Sequence, residues 1–285
     1  MRIAVASGKG GTGKTLLATS LARIWSDDGL EVEYIDADVE EPNGHLFLKP
    51  QQVASRRISV PVPALKGESC SGHGKCQEAC AFHAILSLGD SVMVFNELCH
   101  GCGACSISCP DGALLEKQRE IGTIRHGFSL AMRFREGLLD VGEARSAPLI
   151  EEVVRGSGGD GRLAVIDCPP GTACSAVAAV EGADLLLLVT EPTPFGLHDL
   201  LLAVEMGRAL NLPMAAVVNR ADLGSRAVWH ALEKEKIPVL AGIPFRREIA
   251  EAYSASRMTV EESPEFRGMV AALGDSLLDN AGGEP

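Results

Sequence analysis

Clustered cysteines are the residues of this chain best suited to chemistry. Seven of the nine lie in one short window, and four of these, with a following proline, form the run Cys99-x-x-Cys102-x-x-Cys105-x-x-x-Cys109-Pro110. Thiolates at this spacing are typical ligands of a cubane iron–sulfur cluster. Zinc is the weaker alternative, because zinc modules usually separate their paired ligands by a longer loop. The run therefore predicts one 4Fe-4S cluster.

A second frame with the same spacing precedes this run and carries one substitution. Its ligand positions hold Cys70, His73, Cys76 and Cys80, so that an imidazole stands where a thiolate is expected, and Ala81 replaces the proline. If His73 binds iron, its neutral imidazole brings one negative charge less than a thiolate, which raises the reduction potential of a second 4Fe-4S cluster. If it does not, a 3Fe-4S cluster or a 4Fe-4S cluster with an open iron is expected. A surface histidine with no cluster nearby is the third alternative.

The N-terminal segment contains a phosphate-binding loop. A short apolar run, Arg2 to Ala6, leads into a glycine-rich segment and then into a helical pattern that begins near Leu16. In the pattern Gly-x4-Gly-Lys-Thr, backbone N–H groups surround phosphate oxygens, the lysine reaches the β- and γ-phosphates, and the threonine hydroxyl binds Mg²⁺. With ATP and Mg²⁺ as ligands, the predicted binding residues are Gly8, Lys9, Gly10, Gly11, Thr12, Gly13, Lys14 and Thr15.

Further apolar runs recur along the chain, most of them at helix-length intervals. This alternation predicts an α/β fold, a P-loop NTPase domain with a mostly parallel sheet flanked by helices on both faces. The predicted strands are Arg2 to Ala6, Val32 to Ile35, Leu163 to Ile166, Leu185 to Val189, Met214 to Val218 and Val239 to Ile243.

The stretch between the second and third of those strands does not continue the rhythm, and it contains the clustered cysteines. An inserted domain explains it, with Pro61-Val62-Pro63 at its start and the polar run Glu116 to Glu120 at its end. The following segment, Ile121 to Leu139, is predicted to form a hairpin that returns to the main domain. The predicted domains are residues 1–60 and 117–285 for the nucleotide-binding domain and residues 61–116 for the insertion.

Bulk composition excludes several classes of partner. The 285 residues, 46% of them apolar, can form a substantial core, while the formal net charge of −12 and the pI near 5.1 disfavour binding to nucleic acid. No apolar run is long enough to span a membrane, and the N-terminus enters a strand without a leader pattern. We therefore expect a cytoplasmic protein without membrane or nucleic-acid partners, in which clustered cysteines bind metal rather than form disulfides.

The phosphate loop contains a second lysine that an ordinary loop does not need. With Lys9, the segment reads Lys-Gly-Gly-Thr-Gly-Lys-Thr and resembles that of the MinD/ParA family of deviant Walker A ATPases. The resemblance implies Mg-dependent hydrolysis of ATP to ADP and phosphate by a homodimer, in which Lys9 crosses the interface to the other subunit's nucleotide. A solvated lysine on a flexible loop is the alternative interpretation of Lys9.

The same resemblance implies roles for carboxylates that follow predicted strands. Asp38 is expected to position the attacking water, with Asp36 supporting it, and Asp167 is expected to hold a water bound to Mg²⁺. Together with Lys9 and Lys14, Asp38 and Asp167 form the implied catalytic group. For each carboxylate taken singly, an ordinary strand-end or helix-cap role is the alternative.

Other positions near the strand ends are implied to complete the nucleotide site. Gly171 is expected to sense the γ-phosphate and Asn219 to contact the base edge, although an asparagine after a strand also commonly forms a turn. Cys174 lies where nitrogenase iron protein and related ATPases have a cluster-ligating cysteine. We favour a buried apolar role for Cys174 and a structural role for Cys168, because free cysteines often behave as small hydrophobic residues.

The two cysteine frames together resemble those of two-cluster bacterial ferredoxins, in which the last cysteine of each frame ligates the other cluster. The resemblance implies that the insertion is a small α+β ferredoxin-like domain with two 4Fe-4S sites. The implied ligands are Cys99, Cys102, Cys105 and Cys80 for cluster one, and Cys70, Cys76 and Cys109, with His73 at the fourth corner, for cluster two.

The combination of this ATPase with a ferredoxin unit resembles the ferredoxin-containing MinD/Mrp-like ATPases, as does the segment from Val189 to Asp199. It implies that nucleotide state is coupled to electron transfer through the clusters toward a redox partner. The alternative is an ATP-dependent cluster carrier or assembly factor that serves an apo-metalloprotein.

No cysteine follows Cys174, whereas Mrp-type carriers use a late Cys-x-x-Cys pair. The acidic segment Glu261 to Pro285 is unlike the basic membrane helix of Min cell-division ATPases.

Overall fold

The computed structural model describes residues 1–67 and 70–282. Two residues of the predicted insertion and the last three of the acidic C-terminal segment therefore lie outside the described residues. The strands are β1 (Arg2–Ala6), β2 (Val32–Asp36), β3 (Gln51–Leu65), β4 (Ile85–Ser87), β5 (Val92–Val94), β6 (Leu114–Ser129), β7 (Met132–Leu139), β8 (Leu163–Asp167), β9 (Leu185–Thr190), β10 (Met214–Asn219) and β11 (Val239–Ile243).

Helices follow most of the strands. They are α1 (Lys14–Asp27), α2 (Gly44–Leu48), α3 (Lys75–Glu78), α4 (Ala104–Ile107), α5 (Ala147–Val154), α6 (Cys174–Val180), α7 (Pro194–Ala209), α8 (Ala227–Lys234), α9 (Arg247–Ser254), α10 (Thr259–Glu262) and α11 (Pro264–Gly282). Across the described ranges, none of the helices is both long enough and apolar enough to cross a membrane.

Nine strands form one sheet in the order β11-β10-β9-β1-β8-β2-β7-β6-β3. Neighbouring strands from β11 to β7 are parallel, and β6 and β3 add an antiparallel edge. Residues of α5 to α8 pack on one face, and residues of α1, α2 and α9 to α11 pack on the other. Because most of the parallel strands are covered on both faces, their sequences are continuous apolar runs rather than alternating ones. The predicted α/β fold with flanking helices is confirmed.

All six strands predicted from apolar runs are present, as β1, β2, β8, β9, β10 and β11. The predicted hairpin is confirmed as well, since β6 and β7 pair antiparallel from Gly122 opposite Leu139 to Ser129 opposite Met132. The strand β3 and the helix α2 were not predicted. Much of β3 is exposed, so its sequence lacks the apolar run that identified the central strands.

Strands β3 and β6 continue across both predicted domain boundaries. Pro61 pairs with Gln118 and Pro63 with Glu116, well inside the two strands. Proline is tolerated because β3 is the edge strand of the sheet. The polar run from Glu116 to Glu120 suggested a linker, but it is a largely exposed part of a paired strand. Within the predicted insertion, the described residues between Leu65 and Leu114 are the ones that lie outside the nine-stranded sheet.

The cysteine-bearing unit at the end of β3 and β6 is small. It consists of the short helices α3 and α4 and the hairpin of β4 and β5. Each helix follows a glycine in the left-handed region, Gly74 with φ 69° and Gly103 with φ 73°. The apolar interior includes Cys76, Ile85 and Cys105, so cysteines of both frames pack in one cluster.

The antiparallel pairing of β6 predicts a strong effect of a single methyl group at Gly122. An added Cβ would lie 2.6 Å from both the Leu138 carbonyl oxygen and Leu149 Cδ2, where paired backbone and a buried helix resist movement. We expect Gly122→Ala to reduce the free energy of unfolding by about 1–3 kcal/mol in urea titrations. Gly268→Ala is the control, because the space around Gly268 in α11 is open, and it should add up to about 1 kcal/mol. Equal midpoints for Gly122→Ala and wild type would contradict this strand pairing.

Candidate functional site

The phosphate loop connects β1 to α1 at the carboxyl end of the sheet. Its turn requires glycine, since Gly11 has φ 77° and Gly13 has φ 102°. A Cβ at Gly8 would lie 2.1 Å from the Asp199 carbonyl oxygen, and one at Gly13 would lie 2.6 Å from Asn219 Nδ2. The α1 N-terminus has no side-chain cap, so its first N–H groups remain available to a phosphate.

A cleft of about 330 Å³ opens above this loop. Several predicted site residues line it, namely Gly10, Gly11, Gly13, Lys14, Thr15, Asp38 and Asn219. The remaining wall comes from residues that the sequence did not single out, among them Phe245, Arg246, Ile249 and Tyr253. Phe245 and Arg246 follow β11, so a signal for them existed, because ligands bind beyond the carboxyl ends of parallel strands. Ile249 and Tyr253 belong to α9.

Three aspartates converge beside the loop. Asp36 and Asp167 end the adjacent strands β2 and β8 and lie opposite each other in register. Asp36 Oδ2 accepts the backbone N–H groups of Asn43 and Gly44 at 3.0 and 2.8 Å, and Asp36 Oδ1 accepts that of Asp38 at 3.2 Å. Asp36 therefore organises the loop that carries Asp38 into the cleft.

Burial raises the pKa of all three carboxyl groups. Desolvation, followed by the charge of Asp167, raises the pKa of Asp38 to about 6, although Lys14 acts in the opposite direction. Desolvation also raises the pKa of Asp36, with the charge of Asp167 as the next cause, and raises that of Asp167. The site concentrates negative charge in a poorly solvated place, which favours a cation at its mouth.

The Asp167 carboxylate is suited to a magnesium site. Tyr34 Oη donates a hydrogen bond of 3.0 Å to Asp167 Oδ2, which fixes the carboxylate. Asp167 Oδ1 is buried and accepts no hydrogen bond from any described residue, and the Thr15 hydroxyl lies beside the carboxylate. A buried acceptor without a partner is costly, so a metal-bound water at this position would satisfy it. The residues fit Mg²⁺ held through Thr15 and Asp167.

Lys9 is not a solvated lysine in this structure. Its Nζ forms a close ion pair with Glu191 Oε1, and Arg220 Nη1 lies 2.7 Å from Glu191 Oε2. Burial opposes ionisation of Glu191, but the Lys9 hydrogen bond and the charges of Lys9 and Arg220 outweigh it and lower its pKa. Glu191 follows β9 in the Thr190-Glu191-Pro192 segment and was not predicted as a site residue.

Asn219 and Gly171 make contacts other than those that the resemblance implied. Asn219 Nδ2 donates a hydrogen bond of 2.8 Å to the Thr12 carbonyl oxygen, so its side chain holds the phosphate loop and lies at the edge of the cleft. Gly171, with φ 92°, donates its N–H to the Ser7 carbonyl oxygen at 2.9 Å. Their predicted contacts with base and γ-phosphate require a nucleotide and stay predictions.

The two cysteines outside the clustered window differ in exposure. Cys168 is buried, which raises the pKa of its thiol, and its Sγ contacts the Ile166 carbonyl oxygen at 3.6 Å, in line with a structural role. Cys174 is exposed at the start of α6. The favoured interpretation of Cys174 as a buried apolar residue is therefore wrong, because the segment before α6 lies at the surface beside the cleft.

The four cysteines predicted for cluster one surround a single pocket. It is lined by Cys80, Cys99, Cys102 and Cys105, together with residues of β3 and of the loop that holds Gly101. Cys80 Sγ also accepts the backbone N–H of Ala84 at 3.3 Å. The last cysteine of the first frame thus lies with three cysteines of the second.

Three of the four predicted ligands of cluster two, Cys70, Cys76 and Cys109, lie near one another. Cys76 lies close enough to Cys109 and Cys70 for their charges to raise the pKa of its thiol, after desolvation as the main cause. Cys109 Sγ accepts the backbone N–H of Ala113 at 3.4 Å. His73 is exposed, and its Nε2 lies 3.3 Å from Asp111 Oδ1. Within residues 1–67 and 70–282, no three histidine, cysteine or acidic side chains are close enough to bind a single metal ion.

The parallel sheet, the glycine loop and the acidic strand ends define a P-loop NTPase. The chain belongs to the CbiA family, the CobQ/CobB/MinD/ParA nucleotide-binding domain, which matches residues 3–260. It is a MinD/ParA-type P-loop ATPase.

Relatives and solved structures extend this assignment. The chain is 31% identical over 261 residues to an uncharacterized protein of Methanocaldococcus jannaschii, covering 89% of each. It is 28% identical over 290 residues to the carbon monoxide dehydrogenase accessory protein CooC of Rhodospirillum rubrum, covering 99% of this chain and 98% of CooC. It is 22% identical over 262 residues to the iron-sulfur cluster carrier protein of Rickettsia felis, covering 89% of this chain and 64% of the carrier. The cell division ATPase MinD of Pyrococcus furiosus shares the fold, with a TM-score of 0.61, 21% identity and 98% coverage of both chains.

The raised pKa of Asp38 predicts a pH-dependent stability. Because this pKa is about 6 rather than 3.8, the folded protein binds the proton more tightly than the unfolded chain, and the contribution of Asp38 to stability falls as pH rises between these values. We expect nucleotide-free Asp38→Asn protein to melt at a higher temperature than wild type at pH 7, with the difference disappearing near pH 4. Asp275→Asn, an exposed change in α11, is the control. A pH-independent difference would exclude titration of Asp38 as the cause.

Proposed function

We propose that this ATPase uses its nucleotide state to control electron transfer through two iron–sulfur clusters held by the cysteine-bearing unit. The observation that carries the proposal is the continuous β3–β6 ribbon. Its pairing starts in the ATPase sheet, at Gln51 opposite Phe128, and ends at Leu65 opposite Leu114, beside the cysteines. The nucleotide site and the cysteine-bearing unit thus belong to one hydrogen-bonded sheet, in which β7 lies between β6 and β2, the strand that ends at Asp36.

Residues 61–116 form the proposed ferredoxin-type domain, attached to an ATPase domain of residues 1–60 and 117–285. The proposed ligands of cluster one are Cys80, Cys99, Cys102 and Cys105, and the shared pocket supports this set. An N–H bond to Cys80 Sγ is of the kind that tunes cluster potentials. Cysteines from both frames fit the interleaved pattern of two-cluster sites.

Cluster two is proposed to take Cys70, Cys76 and Cys109, with His73 as the candidate for the fourth corner. Cys76 and Cys105, one from each proposed cluster, pack in the same apolar interior. The two clusters would therefore lie next to each other, which suits electron transfer between them. A cluster carries electrons and supplies no other chemistry in this proposal.

The chain's own residues supply the proposed ATPase mechanism. Lys14 would neutralise the β- and γ-phosphates, and Thr15 and Asp167 would hold Mg²⁺, which would supply further charge neutralisation during phosphoryl transfer. Asp38, ionised above pH 6 and steered by Asp36, orients the attacking water. Phosphoryl transfer needs mainly positioning and charge stabilisation, so no covalent nucleophile is required.

Contacts between the Asp38 loop and the ribbon supply a physical route for coupling. Next to Asp38, the Val39 carbonyl oxygen accepts the Leu139 N–H at 2.9 Å. Ser146 Oγ donates a hydrogen bond of 2.9 Å to Glu40 Oε1. Glu143 lies in the same loop as Ser146, between β7 and α5. Its side chain is almost fully buried and pairs with Arg119 of β6 at 2.5 Å. A shift of the Asp38 loop on ATP binding would therefore be transmitted to β6.

Two relatives favour a second candidate function, that of a cluster carrier or metallocofactor assembly factor. One relative is named as an accessory protein of carbon monoxide dehydrogenase and another as an iron-sulfur cluster carrier. In this case the clusters would be cargo, and ATP would gate their delivery to an apo-metalloprotein. Cys102 is exposed, so an acceptor would approach cluster one from the side of Cys102.

The experiment that separates these functions uses anaerobically purified full-length protein. We expect iron and sulfide for two clusters, loss of the cluster-one EPR signal in Cys105→Ser, and a different cluster midpoint potential with ATP than with ADP. Lys14→Ala should keep both clusters but lose the nucleotide-dependent shift. Identical potentials in the two nucleotide states, together with complete cluster transfer to an apo-acceptor, would replace electron transfer by the carrier function.

The Lys9–Glu191 ion pair predicts how dimerisation depends on charge. If Lys9 must leave Glu191 to reach the partner subunit's nucleotide, Glu191→Gln should strengthen ATP-dependent dimerisation by about two- to fivefold, the usual value of a partly exposed ion pair. Lys9→Ala should abolish ATP-dependent dimerisation while ATP still binds. Sedimentation with ATP and with ADP measures both effects, and Glu205→Gln on α7 is the control. A dimer that forms equally well in Lys9→Ala would contradict the role of Lys9.

A further inference from the structure

We infer that His73 is the fourth ligand of cluster two and that Asp111 is the residue that positions its imidazole. This inference rests on the proposed function, because it concerns the iron–sulfur clusters. The sequence alone leaves the role of His73 open between ligation, a missing fourth ligand and a surface position, and no sequence motif identifies Asp111. The internal symmetry of the cysteine-bearing unit favours ligation.

The glycines that flank His73 and Cys102 have matching φ angles in the two cysteine frames. His73 lies between Gly72 and Gly74, with φ of 74° and 69°, while Cys102 lies between Gly101 and Gly103, with φ of 64° and 73°. In each frame the helix α3 or α4 begins at the residue after the second glycine.

The symmetry extends to the close packing and to the sulfur contacts. A Cβ at Gly72 would lie 2.8 Å from the Gly89 carbonyl oxygen, and one at Gly101 would lie 2.9 Å from that of Pro61. Ala84 and Ala113 occupy equivalent positions and donate to Cys80 Sγ and Cys109 Sγ. His73 therefore starts from the same backbone position as the cluster-one ligand Cys102.

The imidazole is held by a carboxylate on one side. His73 Nε2 lies 3.3 Å from Asp111 Oδ1, while Asp111 Oδ2 accepts the Ser71 N–H at 3.0 Å. This arrangement occupies Nε2 and leaves Nδ1, the nitrogen nearer the backbone, available to a metal. Metal-ligating histidines usually donate their second ring N–H to a carboxylate in this way, which fixes the ring and raises its basicity.

The equivalent positions in the first cluster site show that this pair is not a general feature of the fold. Phe82 corresponds to Asp111, and His100 corresponds to Ser71. The rings of Phe82 and His100 are stacked, with centroids 3.6 Å apart and an interplanar angle of 9°. The frame with Cys102 thus has the stacked rings of Phe82 and His100 at these positions, whereas the frame with His73 has the carboxylate of Asp111.

Nitrogen ligation is tested directly by spectroscopy. Protein labelled with ¹⁵N-histidine is reduced anaerobically, and pulsed EPR on the cluster-two signal should detect a coupled nitrogen. His73→Cys should keep both clusters, abolish that coupling and shift the cluster-two midpoint potential downward, since a thiolate adds negative charge. His73→Ala should convert cluster two to a three-iron form. His100→Gln, which removes an exposed imidazole from the cluster-one loop, should leave the coupling intact.

Asp111 has its own readout as a positioning residue. Asp111→Asn should retain the iron and sulfide content but change the nitrogen coupling and raise the cluster-two midpoint potential, because the ring loses a negatively charged partner. Asp90→Asn on the β4–β5 turn is the matched control and should change neither. If wild-type protein holds two clusters without any nitrogen coupling, the ligand assignment is wrong while the proposed function stands. If no cluster assembles in wild type, the proposed function itself fails.

Discussion

The pairing of β3 with β6 is the interaction on which the rest of the architecture depends. At one end these strands extend the ATPase sheet through the β6–β7 hairpin, and at the other they carry the cysteine-bearing unit. Both register shifts of the ribbon lie before residue 60, in the part that belongs to the main sheet. The part that leads to the cysteines is regular, so the small unit has a defined attachment rather than a flexible linker.

The nucleotide site depends on a second constraint, the shared edge at which parallel strands end. This edge brings together three aspartates whose pKa values are all raised by burial. Such a group opposes folding at neutral pH unless a cation is near. Lys14 supplies one positive charge, and no described residue donates a hydrogen bond to the buried Asp167 Oδ1. Under the proposed function, nucleotide and magnesium would relieve this destabilisation, which would link ligand binding to the rigidity of the Asp38 loop.

Much of this could be predicted from the sequence, for identifiable physical reasons. Buried parallel strands leave continuous apolar runs, and a glycine loop has few other uses, so the P-loop domain followed directly. The strand β3 was not predicted, because its first half is exposed and polar, and the alternating buried residues Ile58, Val60 and Val62 are interrupted by prolines, which usually indicate a loop or an edge strand. Tyr253 was missed for another reason, because its place at the cleft depends on the packing of α9, which no local pattern encodes. Glu191 directly follows β9, so its position at the carboxyl end of a parallel strand was a signal that was not used.

The ribbon also distinguishes the two proposed clusters. Pro61, Val62 and Pro63 of β3 and Glu116 of β6 line the pocket of cluster one, so any movement of the ribbon reaches that cluster directly. The residues proposed for cluster two have fewer contacts with the ribbon. Cys70 Sγ contacts the Gly89 carbonyl oxygen between β4 and β5, while Cys109 Sγ accepts the N–H of Ala113, the residue before β6. Under the proposed function, movement of the ribbon would therefore reach cluster one through several side chains and cluster two mainly through the base of β6. His73 and Asp111, at the outer corner proposed for cluster two, would then set more of its electronic properties than the ATPase does.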